Sequence, residues 1–221
     1  MTTATTEAPA PAVEEIAVQW PYRMSYETYE RIGELGLFRN EDHITLLDGI
    51  LVQTMTKGPD HSSDLIEGLF MLARIVPDGW HVRPEQPIAL RRGPRGDSAP
   101  EPDVAVVTGR NGDYKRRHPE PHEVALVVEV ASSPAAFRVE RAGLQRYAHA
   151  SIPTVLIVAL YDNSIHVHTE PSGPTDQPGY SRVEVKRSGE LIEVELKPPS
   201  AGEAATILGP IAVESFFAPN P

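Results

Sequence analysis

Apolar positions along the chain change period several times, and each change marks an element. Tyr29, Ile32 and Leu35 recur at three-residue spacing behind Ser25, with Gly36 after them. That spacing predicts a short helix with a serine cap and a glycine stop, and Glu27 and Arg31 form an i,i+4 pair on its outer side. The runs ITLL and ILVQTM follow, joined by Asp48-Gly49, and this dipeptide between β-prone runs predicts a hairpin. A second helix is expected from about His61 to Val76, where Leu65, Leu69, Leu72 and Val76 share a face and Pro77-Asp78-Gly79 ends it. From Trp80 the chain reads as extended through HVR, QPIAL, DVAVVT and VALVVEVA. The last two runs are almost continuously apolar, as in central strands covered on both faces. Ser133-Pro134 open a third helix, with proline in its tolerated first position, and Phe137, Leu144 and Tyr147 fall on one side before it ends near Ala150. TVLIVAL is a further buried strand, turned by Asp162-Asn163 into IHVHT, and SRVEVK and LIEVEL follow a Pro/Gly-rich loop at 171–179. The terminal ILGPIAVESFF is apolar enough to pack back, with Phe216 and Phe217 as anchors.

This succession predicts a mixed α/β domain with a helix crossing over the sheet. No internal repeat is present. The first 18 residues are small, polar and rich in Pro and Ala, so residues 1–18 are expected to be a flexible arm and 19–221 a single domain. Proline reaches 22 in 221 residues, about twice the usual ~5%, but it clusters between elements and punctuates rather than disorders. The chain has 20 Lys+Arg against 31 Asp+Glu, a net charge of −11. Binding to DNA by bulk positive charge is therefore not expected, and any such contact must be local. Cysteine is absent, which excludes disulfides, thiolate zinc sites and a cysteine nucleophile. No apolar run approaches the ~18–20 residues that span a bilayer and no signal peptide opens the chain. A cytoplasmic protein without membrane contact is the expectation.

Two carboxylates stand where charge is expensive. Asp103 opens DVAVVT directly after Pro102, and Glu129 sits among Val127, Val128 and Val130. A carboxylate in a run of valines must be paired, protonated or bound to a cation, because burying it bare costs several kcal/mol. If the two strands are neighbours, Asp103 and Glu129 converge, and with the Val130 carbonyl they form an oxygen-only site suited to Mg²⁺ or Mn²⁺. The alternative is a core carboxylate paired with Arg138 or Arg141.

Other features carry less. His166 and His168 share a strand face, and His118 and His122 lie four apart, but each pair reads as surface histidines in a hairpin or a Pro-interrupted loop. Lys115, Arg116 and Arg117 lie in the loop between the two candidate strands, and Arg91, Arg92 and Arg95 precede the first. If those loops flank the site they are candidate phosphate contacts; otherwise they are solvated loops. No Gly-rich phosphate loop, nucleophile elbow or dinucleotide fingerprint is present.

LLDGILVQTM, His61 at a helix start, PEPDVAVV, VALVVEVASSP and a helix with QRYA before SIPTVLIV occur in that order from about Ser25 to Phe217. Together they resemble the bacterial restriction endonuclease family of the Uma-two type, a branch of the PD-(D/E)XK nucleases. The resemblance implies a restriction-endonuclease-like central sheet of mixed direction, flanked by helices, with an added hairpin and an antiparallel C-terminal part. It also implies Mg²⁺- or Mn²⁺-dependent hydrolysis of phosphodiester bonds in DNA, with Asp103 and Glu129 as metal ligands and His61 lining the site. By analogy with double-strand cleavage it implies a homodimer. The chain departs from the family pattern in three places. Gly143 stands where a lysine is usual, Val139 where an acidic residue is usual, and Thr45 where a glutamate often precedes the hairpin. Arg141, Arg146 and Gln145 lie nearby on the same helix and are the candidate substitutes for the lysine, Arg141 and Gln145 first. The departures keep open a second reading, a degenerate nuclease domain that binds nucleic acid or a protein.

Overall fold

The computed structural model describes residues 21–39, 42–53, 59–198 and 204–217; the expected arm at 1–18 lies outside them. The first helix among the described residues is α1 (Tyr26–Glu34), whose Ser25 Oγ accepts from the Thr28 amide. Tyr26 and Tyr29 form its buried face, whereas Leu35 is exposed. The expected Glu27–Arg31 pair is replaced: Arg31 reaches Glu34, and Glu27 turns to Arg91 across the chain. Strands β1 (Ile44–Leu47) and β2 (Ile50–Gln53) form the Asp48-Gly49 hairpin, in register Leu47 to Ile50. Both turn residues have positive φ, 53° and 77°, as the primed turns that match strand twist require. Helix α2 (Pro59–Ile75) follows, and the turn after it uses Gly79 at a φ of +89°.

Next come β3 (Trp80–Pro84), β4 (Val104–Thr108) and β5 (Val124–Ala131), then helix α3 (Pro134–His149). After it come β6 (Thr154–Ala159), β7 (Ser164–Pro171) and β8 (Tyr180–Arg187). These six strands make one sheet in the order β3-β4-β5-β6-β7-β8. Every neighbouring pair is antiparallel except β5 and β6, which run parallel and are joined by α3. A parallel pair needs such a crossover, and the Ser133 cap with Pro134 in the first turn starts it at the end of β5. A second antiparallel pair, β9 (Leu191–Leu196) with β10 (Thr206–Ala212), closes the chain. The mixed α/β architecture expected from the sequence is the one observed. QPIAL is the exception among the expected strands. Its amides bond Pro100, Pro119 and Ser98 in turn, so it forms no ladder beyond one bridge from Leu90 to Ser98.

The central strands β4, β5 and β6 are buried on both sides, which is why β5 and β6 read as unbroken apolar runs, whereas β8 at the edge is largely exposed. Val104, Val106, Leu126, Val128, Leu156 and Val158 pack with α2 (Leu72), β9–β10 and Phe216. The alternate positions, Ala105, Val107, Val127, Val155 and Ile157, pack with Leu144 and Tyr147 of α3. The hairpin β1–β2 and α1 form a third cluster through Tyr26, Tyr29, Leu46, Ala89 and Ala99. That cluster is laced to the segment before β4: Gly49 N–H donates to Asp97 O (2.7 Å), Ala99 N–H to Leu46 O (2.7 Å), and Thr45 Oγ1 to Ala99 O (2.7 Å). No helix among the described residues is long and apolar enough to cross a membrane.

Candidate active site

Side chains alternate between the two faces along β5. Leu126, Val128 and Val130 take the α2 side, and Val127 and Ala131 the α3 side, so Glu129 between them also faces α3. The register Val104 to Val128 continues to bring Asp103, at the mouth of β4, beside Glu129. Both carboxylates are buried, and they interlock with the neighbouring backbone. Asp103 N–H donates to Glu129 Oε2 (3.3 Å), and Val130 N–H donates to Asp103 Oδ2 (2.6 Å). From α3, Tyr147 donates its hydroxyl to Glu129 Oε1 (2.7 Å). Burial first, then the charges of Glu140 and Asp103, push the Glu129 pKa well above the usual carboxylate range, against the Tyr147 and Asp103 hydrogen bonds. Burial beside Glu129 likewise raises the Tyr147 phenol. The two carboxylates thus meet at one point, and the alternative pairing of Glu129 with Arg138 or Arg141 is not how its carboxylate is bonded.

A second polar cluster involves the same helix. Asp48, in the hairpin turn, accepts Arg146 Nε at Oδ1 (3.1 Å) and Arg146 Nη2 at Oδ2 (2.9 Å). Arg95 Nε also donates to Asp48 Oδ2 (3.0 Å), and Arg95 Nη1 donates to Gln145 Oε1 (3.2 Å). The Asp48 carbonyl accepts from Arg23. Burial opposes the Asp48 charge, but Arg146 and Arg95 outweigh it and hold the pKa below the usual range. Arg146 belongs to α3 next to Tyr147, so one helix serves both clusters. At Gly143, one turn earlier, an added Cβ would meet only Arg146 Nη1, at 3.8 Å.

The other expected site residues are dispersed. His61 lies in the first turns of α2, and its side chain falls outside the described residues. Arg141 acts on His166 and His168 on the β7 side of α3. Gln145 serves Arg95. The loop with Lys115, Arg116 and Arg117 leaves β4 at the end away from Asp103, because β4 runs from Val104 to Thr108. Along the strands, the loop therefore starts at the other end of β4 from the carboxylates. Arg117 is held by Glu123 through two bonds (2.5 and 2.6 Å) and lies over Tyr114, while Arg116 and Arg117 border a cleft against α1. The histidines need correction. His168 is buried between His166 and Tyr180, because β8 and α3 cover that part of β7, and His118 is half-buried beside Glu30.

Sequence reasoning missed Glu140 and the pairing of Asp48 with Arg146. Val139 is exposed on α3, and the acidic residue that acts on Glu129 is the next one, Glu140. Its spacing of seven from Tyr147, about two helical turns, was the available signal. Asp48 and Arg146 are brought together only by docking of the hairpin on α3, and no local pattern reports that. Among the described residues no group of three or more His, Asp or Glu side chains is arranged to hold a metal ion. Two carboxylates with a backbone carbonyl nevertheless suit Mg²⁺, which commonly keeps water and substrate oxygens in its other positions. The charges of Glu140 and Asp103 both oppose a negative charge on Glu129, which a cation held by the pair would offset.

Comparison with known proteins bears on the fold and the family. No curated protein matches the chain. Among solved structures it is similar to one described as a putative nuclease belonging to DUF820 from Anabaena variabilis, with 14% identity and a TM-score of 0.58. The match covers 89% of this chain and 98% of the other, and at that identity it shows a shared fold. A family model described as "Putative restriction endonuclease" matches residues 26–205, a span that includes α1, the hairpin and both carboxylate strands, so the chain belongs to the Uma2 family.

Proposed function

We propose that the chain is a divalent-metal-dependent nuclease that hydrolyses phosphodiester bonds in DNA, with Asp103 and Glu129 as its metal-holding pair. The observation that carries this reading is the interlocked pair itself: two buried carboxylates on adjacent strands, with a third acidic residue, Glu140, acting on Glu129. Mg²⁺ or Mn²⁺ would be held by Asp103, Glu129 and the Val130 carbonyl. When bound, such an ion stabilises negative charge on phosphate oxygens and makes nearby water more acidic. The chain's own groups supply the orientation. Val130 N–H fixes Asp103, while Tyr147 and the Asp103 amide hold Glu129 by one oxygen each. A homodimer would place two such sites on the two strands of a duplex.

One observation favours a second reading, a binding module on a nuclease fold: α3 carries no side chain at Gly143, one turn from both Glu140 and Arg146. Calorimetric titration with Mg²⁺ and Mn²⁺ separates the two. The wild type is expected to bind, and Asp103→Ala to bind at least about tenfold more weakly, since it removes one of two charged ligands. Equal affinity in both proteins would remove the nuclease reading.

A further inference from the structure

The cluster around Asp48 holds more positive charge than its carboxylate needs. Arg146 alone closes a two-bond fork on both Asp48 oxygens, the arrangement that matches guanidinium to carboxylate. Arg95 is added to the same carboxylate, and Arg23 to the carbonyl of the same residue. Two guanidinium groups thus face one side-chain charge in a chain whose total is −11. Both remain within reach of a ligand: the Arg95 side chain is 47% exposed and that of Arg146 21%. The fork uses Nε and Nη2 of Arg146, and its Nη1 extends toward Gly143, where the missing side chain leaves the helix surface uncovered.

Placement relates this cluster to the carboxylate pair. Arg146 precedes Tyr147, whose hydroxyl holds Glu129. Arg95 leads into the segment 97–99, which is bonded to the hairpin at Leu46, Asp48 and Gly49 and runs directly into Asp103. Both arginines are therefore tied by short, hydrogen-bonded connections to the residues proposed to hold the metal. A phosphodiester approaching those carboxylates needs cations on its other oxygens. The groups acting most strongly on Glu129 are acidic or are hydrogen-bond donors without full charge.

We propose that Arg146 and Arg95 bind a backbone phosphate of the nucleic acid beside the Asp103–Glu129 pair, with Asp48 holding the two guanidinium groups in position. The inference rests on the nuclease reading above and names the part of the chain that grips the substrate. At Gly143 an added Cβ would meet Arg146 Nη1 only at 3.8 Å, so that side of the guanidinium is open. Asp48 is a positioning residue, and the arginines are the contacts.

The test is fluorescence anisotropy of a short labelled DNA duplex, with Ca²⁺ in place of Mg²⁺ to hold back cleavage, over a series of salt concentrations. Arg95→Gln and Arg146→Gln are each expected to weaken binding on the order of tenfold and to lower the slope of log affinity against log salt by about 0.9. Arg146→Lys keeps the charge and is expected to keep the slope. Arg182→Gln, the same charge change on β8, is expected to match the wild type. Arg95 is half-exposed, so its variant reports on binding even if Arg146→Gln unfolds. Wild-type slope and affinity in Arg95→Gln would overturn the proposal while DNA binding by the wild type left the nuclease reading standing. A loss as large in Arg182→Gln would also overturn it, because total charge would then be responsible. No DNA binding by the wild type at low salt would overturn both.

Discussion

At the scale of single residues, burial decides which titratable groups keep their charge. His168 is enclosed by β7, β8 and α3, and burial first, then His166 and Arg141, push its pKa down to about 4. In the unfolded chain it titrates near ~6.5. The unfolded state therefore binds the extra proton between those values and the folded state does not, so the associated stability is present above pH ~6.5 and is lost as pH falls toward 4. Thermal melting at a series of pH values is expected to show a wild-type midpoint that falls across this window, and a shallower fall in His168→Gln. Equal slopes would show that His168 is charged in the fold. Glu129 was legible from sequence because a carboxylate inside a valine run has few explanations. His168 was not, because IHVHT alternates like an exposed strand and its cover comes from distant segments. The ion pair of Arg146 was equally hidden, since its partner Asp48 lies 98 positions away.

At the scale of elements, α3 carries the most consequence. It crosses from β5 to β6, presents Tyr147 to Glu129, and offers Arg146 to the hairpin. Its start was readable from Ser133-Pro134, and its buried side from Leu144 and Tyr147. Gly143 is an energetic weak point, because mid-helix glycine costs ~0.5–1 kcal/mol relative to alanine. An added Cβ there makes only an ordinary contact at 3.8 Å. Gly143→Ala is accordingly expected to raise stability by about 0.5–1 kcal/mol in urea unfolding. A destabilised variant would show that the helix surface at 143 is more crowded than this contact implies. The β1–β2 hairpin was equally plain in sequence, since Asp48-Gly49 leaves one common turn geometry. Its docking on residues 96–99 was not, because it depends on amides of a segment with no regular period.

At the scale of the molecule, a sheet whose central strands are covered on both faces places its candidate chemistry at one strand mouth. Asp103 directly precedes β4 and Glu129 lies near the end of β5, so the antiparallel register brings them to the same end of the sheet. The hairpin and α3 carry Asp48 and Arg146, and Arg95 joins them from the segment before β4. A net charge of −11 surrounds this local positive group, so contact with nucleic acid depends on the site rather than on the whole surface. The succession of elements, and with it the fold, followed from hydrophobic period and turn chemistry. Asp103, Glu129 and Arg95 were legible as candidates, whereas the part of Glu140 and the pairing of Asp48 with Arg146 required the tertiary structure. The most direct measurement is conversion of supercoiled plasmid to nicked or linear DNA with Mg²⁺ or Mn²⁺, by wild type, Asp103→Ala and Glu129→Ala. Slow, metal-dependent cleavage by the wild type, abolished by EDTA and by either substitution, is the expected result. Cleavage that survives both substitutions, or none by a folded wild type with either metal, would contradict the account.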